Sequence, residues 1–298
     1  MDAGILSILL QAPLYLGTLR LMVPITLPAI GEIITERSGV VNIGLEGIIM
    51  LGALASVYVG YFTGSLALAL LAGILAGACV GILHGIISVY LGGDQIIVGV
   101  GVNVFAYGLG VITLYLTWGT FANSPLIPDS ARVPDFYGIS PFVILTLISG
   151  VAAWYLLERT SIGLRLKAVG ENPKAADSAG INVFRIRFIA TVVGAIFAAL
   201  GGTFLGLDWL ASYTRDISAG RGFIALAMVV FSKWNPVLAI LSGLLFGFFF
   251  ALSLAIPSGI IPDQLVWSLP YAATLLVAAG FFTKTRVPAA LGRPYKRE

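Results

Sequence analysis

The chain has 298 residues, of which 58% are hydrophobic and 10% charged, whereas a soluble domain carries about 25% charged residues. With a mean hydropathy of +0.99, this composition excludes a water-facing skin, and a net charge of only +3, with no basic run interleaved with aromatics, excludes a nucleic-acid partner. The lone cysteine, Cys79, excludes an intrachain disulfide framework and a cysteine-based metal cluster.

What remains is an all-α, polytopic transmembrane helical bundle, a single domain over residues 1–298 surrounded by membrane lipid. A straight crossing needs about 20 apolar residues, and the pattern predicts about 8–10 spans with broken or re-entrant helices. The opening Met1-Asp2-Ala3-Gly4 lacks a basic n-region, so no cleaved presequence is expected.

The first span falls within Ile5–Ile34, where Pro13, Pro24 and Pro28 oppose a straight helix, and the second within Val40–Phe62; the polar cluster Glu36-Arg37-Ser38 lies between them. Leu66–Leu91 and Ile96–Trp118 follow, separated only by Gly92-Gly93-Asp94-Gln95 and so expected as antiparallel neighbours. Residues 119–138 carry Ser124, Pro125, Pro128 and Pro134 and read as a loop. After a fifth span, Ile139–Leu157, residues 158–187 form the most basic connection, with Arg159, Arg165, Lys167, Lys174, Arg185 and Arg187. Phe188–Leu207, the short Phe223–Phe231, Val237–Ile256 and Leu265–Phe282 complete the set, and a tail over 283–298 holds Lys284, Arg286, Arg293, Lys296 and Arg297.

Short Lys/Arg-rich connections stay on the cytoplasmic side, which predicts a cytoplasmic loop at 158–187 and a cytoplasmic tail at 283–298. Counting back, residues 119–138 and the N-terminus fall outside. Phe223–Phe231 is too short to cross as a straight helix, so it is either extended through Gly220–Gly222 or a re-entrant half-helix. The same two alternatives apply to Val40–Leu51.

Within the basic loop, Gly170–Gly180 reads as a complete short helix with both ends marked. Asn172 is suited to accept from an orphan N–H as N-cap, Pro173 fits the first helical position, and Gly180 fits the left-handed stop. Lys174, Ala175, Ala176, Asp177, Ser178 and Ala179 lie between them. Such a helix is too short to stand alone, and its small polar surface suits a docking knob gripped by a cytoplasmic partner.

A second group, Asn42, Glu46 and Asn103, holds candidates for a translocation pathway, with packing near the interface as the alternative for Asn42 and Glu46. Asn42 and Glu46 fall at i and i+4, which on a helix places them on one face, and both enter an apolar stretch where a carboxylate must be paired, protonated or facing water. Asn103 suits either a polar ligand or a helix–helix bridge. His84 reads as structural, Asp208-Trp209 as an interfacial anchor, and Gly73-x-x-x-Gly77-x-x-x-Gly81-x-x-x-Gly85 as a helix-packing face.

Catalytic and metal machinery is not expected. The chain has no G-x-x-x-x-G-K-[ST], no G-x-S-x-G elbow and one histidine. An ion- or proton-coupled secondary transporter or channel working through Glu46 is the alternative to a partner-driven carrier.

Four runs resemble the permease subunits of bacterial and archaeal ABC importers, in the nucleoside and simple-sugar branch of the ribose- and branched-chain amino-acid-type superfamily. They are ERSGVVNIGLEGIIMLG (36–52), GGDQIIVGVGVN (92–103), GENPKAADSAGIN (170–182) and GRGFIALAMVVFSKWNP (220–236), with Pro270-Tyr271-Ala272 near the end. The resemblance implies a permease in a prokaryotic cytoplasmic membrane that translocates a nucleoside, or less readily a simple sugar. It further implies that about 173–180 couples to a separate ABC ATPase, which binds the ATP and Mg²⁺. A second permease, the same or paralogous, and an extracytoplasmic solute-binding lipoprotein complete the implied system.

Overall fold

Proline placement sets the first element of the bundle. Pro13 and Pro24 each sit in the first turn of a helix, where no N–H is needed, and give α1 (Ala12–Leu21) and α2 (Val23–Arg37), joined through Met22 into one 26-residue run. The computed structural model describes residues 9–136, 138–257, 262–280 and 287–297. The expected start of the first span at Ile5, and the tail residues Lys284 and Arg286, lie outside them.

The remaining helices follow as α3 (Leu45–Thr63), α4 (Leu66–Gly85), α5 (Gln95–Trp118), α6 (Pro141–Arg159) and α7 (Ser161–Glu171). Then come α8 (Pro173–Ser178), α9 (Val183–Phe204), α10 (Arg221–Phe231), α11 (Pro236–Ala255) and α12 (Asp263–Gly280). Single π-helical turns extend α4 over Ile86–Tyr90 and α9 over Leu205–Trp209. The described residues contain no strand, only isolated bridges at Asn123–Thr214 and Phe136–Ile139.

Seven helical runs among the described residues are long and apolar enough to cross a membrane, fewer than the expected 8–10. The shortfall lies at α10 and α12. α10 has 11 residues, about 16 Å of helix, roughly half a hydrocarbon core. α12 carries Pro270 in its interior, and the expected ninth span, Leu265–Phe282, ends outside the described residues.

At the centre, α9 packs on α2, α3 and α4, and small residues set how closely. A Cβ on Gly77 would lie 2.6 Å from the Ala199 Cβ and 2.8 Å from the Ala195 carbonyl oxygen; one on Gly81 would lie 2.8 Å from the Ala195 Cβ. The Gly73–Gly85 face is thus buried against α9, as its spacing predicts, because only glycine admits this approach. Gly31 on α2 makes the same kind of contact, its hypothetical Cβ 2.6 Å from the Gly194 carbonyl oxygen.

The described residues of 119–138 do form a loop, and it is pinned to the segment after α9. Ser124 N donates to Tyr213 O at 2.8 Å, Ile127 N to Ala211 O at 2.9 Å and Arg215 N to Ala122 O at 3.1 Å. The basic stretch 158–187 is mostly helical, since α9 begins at Val183. Arg187 is therefore not a loop cation: it lies inside α9, only 2% exposed.

Candidate functional site

The capped helix predicted in the basic loop is present as α8. The Asn172 side chain accepts from Ala175 N at 3.1 Å, and Pro173 occupies the first turn. At the other end Gly180 adopts φ +81°, Gly180 N donates to Asp177 O at 2.9 Å and Ile181 N to Ala176 O at 3.0 Å. Those two bonds satisfy the last carbonyls in the paired pattern that a left-handed glycine permits.

Six residues of helix have little stability of their own, so packing holds them. Ala176 is buried with Val169 and Val183, and Tyr295 packs against the same cluster. Ala175, Ser178 and Ala179 stay exposed, and their i, i+3, i+4 spacing puts them on one face. This exposed face of α8 carries only small side chains, while Ala176 belongs to the fold beneath it. The Tyr295 hydroxyl donates to Asp177 Oδ2 at 3.1 Å. Partial desolvation first, and then the hydrogen bond to the Asp177 carboxylate, holds this phenol's pKa above its ordinary value.

The three pathway candidates meet around the start of α3, in an arrangement that corrects the helical-face expectation. Asn42 and Glu46 do not share a helix, because α3 begins only at Leu45, after Gly44 as N-cap. Asn42 lies in the preceding loop, where its N–H donates to Glu32 Oε1 at 2.7 Å and its side-chain oxygen accepts from Gly44 N at 3.0 Å. Gly44 has no side chain to cap with, and Asn103 on α5 takes over that role. Its Oδ1 accepts from Gly47 N at 2.7 Å and its Nδ2 donates to Ile43 O at 3.1 Å.

Glu46, in the first turn of α3, turns its carboxylate onto the start of α10. Oε1 accepts from Ser218 Oγ at 2.5 Å and Gly220 N at 2.7 Å, and Oε2 accepts from Gly222 N at 2.7 Å. These donors include orphan N–H groups at a helix N-terminus, which favours a negative charge there. Gly220 has φ +77°, and a Cβ on Gly222 would lie 2.8 Å from Glu46 Oε2, so both glycines are needed for the approach.

Several buried polar contacts escaped the sequence reading. Glu36 Oε2 accepts from Trp234 Nε1 at 2.6 Å, and Arg37 donates to Trp234 O at 3.3 Å. These bonds hold a corner in which Lys233 and Trp234 both have positive φ. Arg20 pairs with Asp208 at 2.7 Å and with Asp135 at 2.8 Å, and Ser140 Oγ also donates to Asp208. The Asp208 side chain is fully buried inside this network. His84 is fully buried. The polar types were visible in the sequence, but their partners lie too far along the chain for spacing to find them.

Compared with known proteins, residues 14–279 match the family described as branched-chain amino acid transport system / permease component. The chain is 35% identical to the guanosine ABC transporter permease protein NupQ of Bacillus subtilis (strain 168), over 98% of this chain and 97% of that one. It is 36% identical to the nucleoside ABC transporter permease protein NupC of Lactococcus lactis subsp. cremoris (strain MG1363), over 91% and 93% respectively. A third relative, the putative glucose ABC transporter permease protein TsgC13 of Haloferax volcanii, is 28% identical over 95% and 97%. No solved structure matches the chain. A helical bundle with seven apolar runs among its described residues, matched to one family model from near its start to near its end, therefore belongs to the permease component family of the branched-chain amino acid transport systems.

Proposed function

We propose that this chain is the membrane-spanning permease subunit of an importer that moves a nucleoside across the cytoplasmic membrane, driven by ATP hydrolysed on a separate ATPase chain. The observation that carries the reading is the similarity to guanosine and nucleoside permease proteins over nearly the full length of both chains. The doubly capped α8 supports the coupling part, because its exposed Ala175–Ser178–Ala179 face offers a rigid knob without bulky side chains. ATP and Mg²⁺ belong to the ATPase, a second permease completes the pathway, and an extracytoplasmic lipoprotein delivers the solute. In this arrangement 158–187 and the tail face the cytoplasm and 119–138 faces outward.

Asn42, Glu46 and Asn103 border the proposed pathway through the backbone they hold, at the meeting point of α3, α5 and α10. The self-contained proton- or ion-coupled reading is disfavoured by Glu46 itself. Both of its oxygens are already occupied within the protein, by Ser218 Oγ, Gly220 N and Gly222 N, which makes it a tie between α3 and α10 rather than an open ion site.

The test is reconstitution of the complete importer in proteoliposomes with guanosine as the probe. ATP-dependent uptake is expected, and Ala179→Glu should abolish it by placing charge and bulk on the coupling face. Uptake by this chain alone, without ATP, would overturn the reading.

A further inference from the structure

The described tail, 287–297, is laid across a junction of three elements. Ala290 N donates to Gly170 O at 2.9 Å, at the end of α7, and Gly292 N donates to Gly39 O at 3.1 Å, in the break between α2 and α3. Arg187 on α9 clamps the same two strands of chain: Nη1 donates to Arg293 O at 2.8 Å and Nε to Ser38 O at 3.1 Å. Gly39 has φ +94°, and a Cβ there would lie 2.7 Å from Arg187 Nη2. Only glycine fits this break, and the buried guanidinium fills the space beside it.

Farther along, the tail is fastened to α8. Tyr295 donates to Asp177 Oδ2 at 3.1 Å, Arg297 Nε pairs with the same oxygen at 3.0 Å, and the Tyr295 ring lies 5.4 Å from that of Phe184. Between the two attachments only Arg293 and Pro294 intervene. A chain that short spans at most about 11 Å from Gly292 to Tyr295 even when extended, and the proline ring removes one of its soft dihedrals. The connection has little slack.

We propose that Ala290–Arg297 is a strap that relays displacement of α8 to the helix break at Ser38–Gly39, with Arg187 and Tyr295 as positioning residues. The proposal rests on the reading of α8 as the ATPase-coupling helix. The break lies just upstream of Asn42 and the first turn of α3, so Gly39 is separated by only the short segment Val40–Leu45 from Glu46, which holds the start of α10. α8 itself packs on α7 and α9, and the strap supplies a short route from it to the Ser38–Gly39 break.

The experiment uses the full importer in proteoliposomes, with guanosine uptake and ATP hydrolysis measured together. One variant ends at Pro288; the other combines Tyr295→Phe and Arg297→Gln, which removes both bonds to Asp177 and keeps the backbone bonds at Ala290 and Gly292. Expected in both are retained ATPase co-purification, continued ATP hydrolysis and a fall of roughly five-fold or more in guanosine taken up per ATP. Nucleotide-dependent change in amide exchange at Val40–Asn42 should disappear while that at α8 persists. Unchanged uptake per ATP in the paired variant overturns the strap. If Ala179→Glu blocks ATPase co-purification in the same assay, the coupling reading survives that failure; if Ala179→Glu is silent, both fall together. Should the truncated chain fail to assemble, the paired variant decides.

Discussion

The Glu46 carboxylate meets the backbone N–H of Gly222 at 2.7 Å across 176 positions of sequence. This contact anchors one end of α10, and Glu36 with Arg37 anchors the other through Trp234. A helix of 11 residues that is too short to cross is thus held between the two sides of the break that separates α2 from α3.

Glu46→Ala leaves the Ser218 hydroxyl and the Gly220 and Gly222 N–H groups without their acceptor. Hydrogen bonds to a charged group contribute about 1.5–3 kcal/mol each, and the losses are shared, so a destabilisation of about 3 kcal/mol is expected. The thermal midpoint of the detergent-solubilised protein should drop markedly, with Glu46→Gln intermediate. An unchanged midpoint in Glu46→Ala would show that these bonds do not hold α10.

Asn103→Leu removes the surrogate cap of α3 and should cost about 1 kcal/mol. Asn103→Asp keeps the acceptor for Gly47 N but loses the donor to Ile43 O, and so should retain more stability than the leucine variant. Equal loss in the two, by thermal unfolding, would argue that the cap is not the main contribution.

Glycine substitutions separate packing from propensity. Gly77→Val drives side-chain atoms into Ala195 and Ala199 and is expected to cost at least about 1–3 kcal/mol, as overpacking does. Gly101→Ala and Gly108→Ala meet nothing within 4 Å and should be neutral or gain up to about 1 kcal/mol from helix propensity. Thermal midpoints that failed to split the two groups would contradict the close approach of α4 and α9.

Arg20→Met leaves the buried Asp208 carboxylate without its counter-charge, with the Ser140 hydroxyl still donating to it. Removing one partner of a buried ion pair costs about 3–5 kcal/mol, whereas replacing both restores part of that. The Arg20→Met, Asp208→Asn double variant is therefore expected to unfold at a higher temperature than Arg20→Met alone. Simple additivity of the two single changes would mean that the pair is not coupled.

What was readable in the sequence was what local chemistry decides. Asn172, Pro173 and Gly180 each announce a backbone position within three residues of their partners, and α8 has the boundaries they imply to within one residue. The Gly73–Gly85 spacing likewise reports one face of one helix. Glu46 misled because an i, i+4 interval reports a shared face only where a helix exists, and Gly44 delays α3 until Leu45. Arg187 looked like loop charge because its acceptors, Ser38 O and Arg293 O, lie 149 and 106 positions away. Charge and hydropathy rank a residue by its own transfer cost, and a carbonyl supplied from elsewhere in the chain does not enter that ranking.

The glycine face of α4 also constrains which parts of the bundle are free to change shape. Ordinary helix pairs slide by exchanging side-chain rotamers at their interface, and Gly73, Gly77 and Gly81 have none to exchange. Their contacts with α9 are made by backbone and by the short side chains of alanine and threonine. Over Gly73–Gly81 the α4–α9 seam therefore has little room to slip, whereas at its far end Gly85 and Tyr90 meet the larger rings of Phe184 and Phe188.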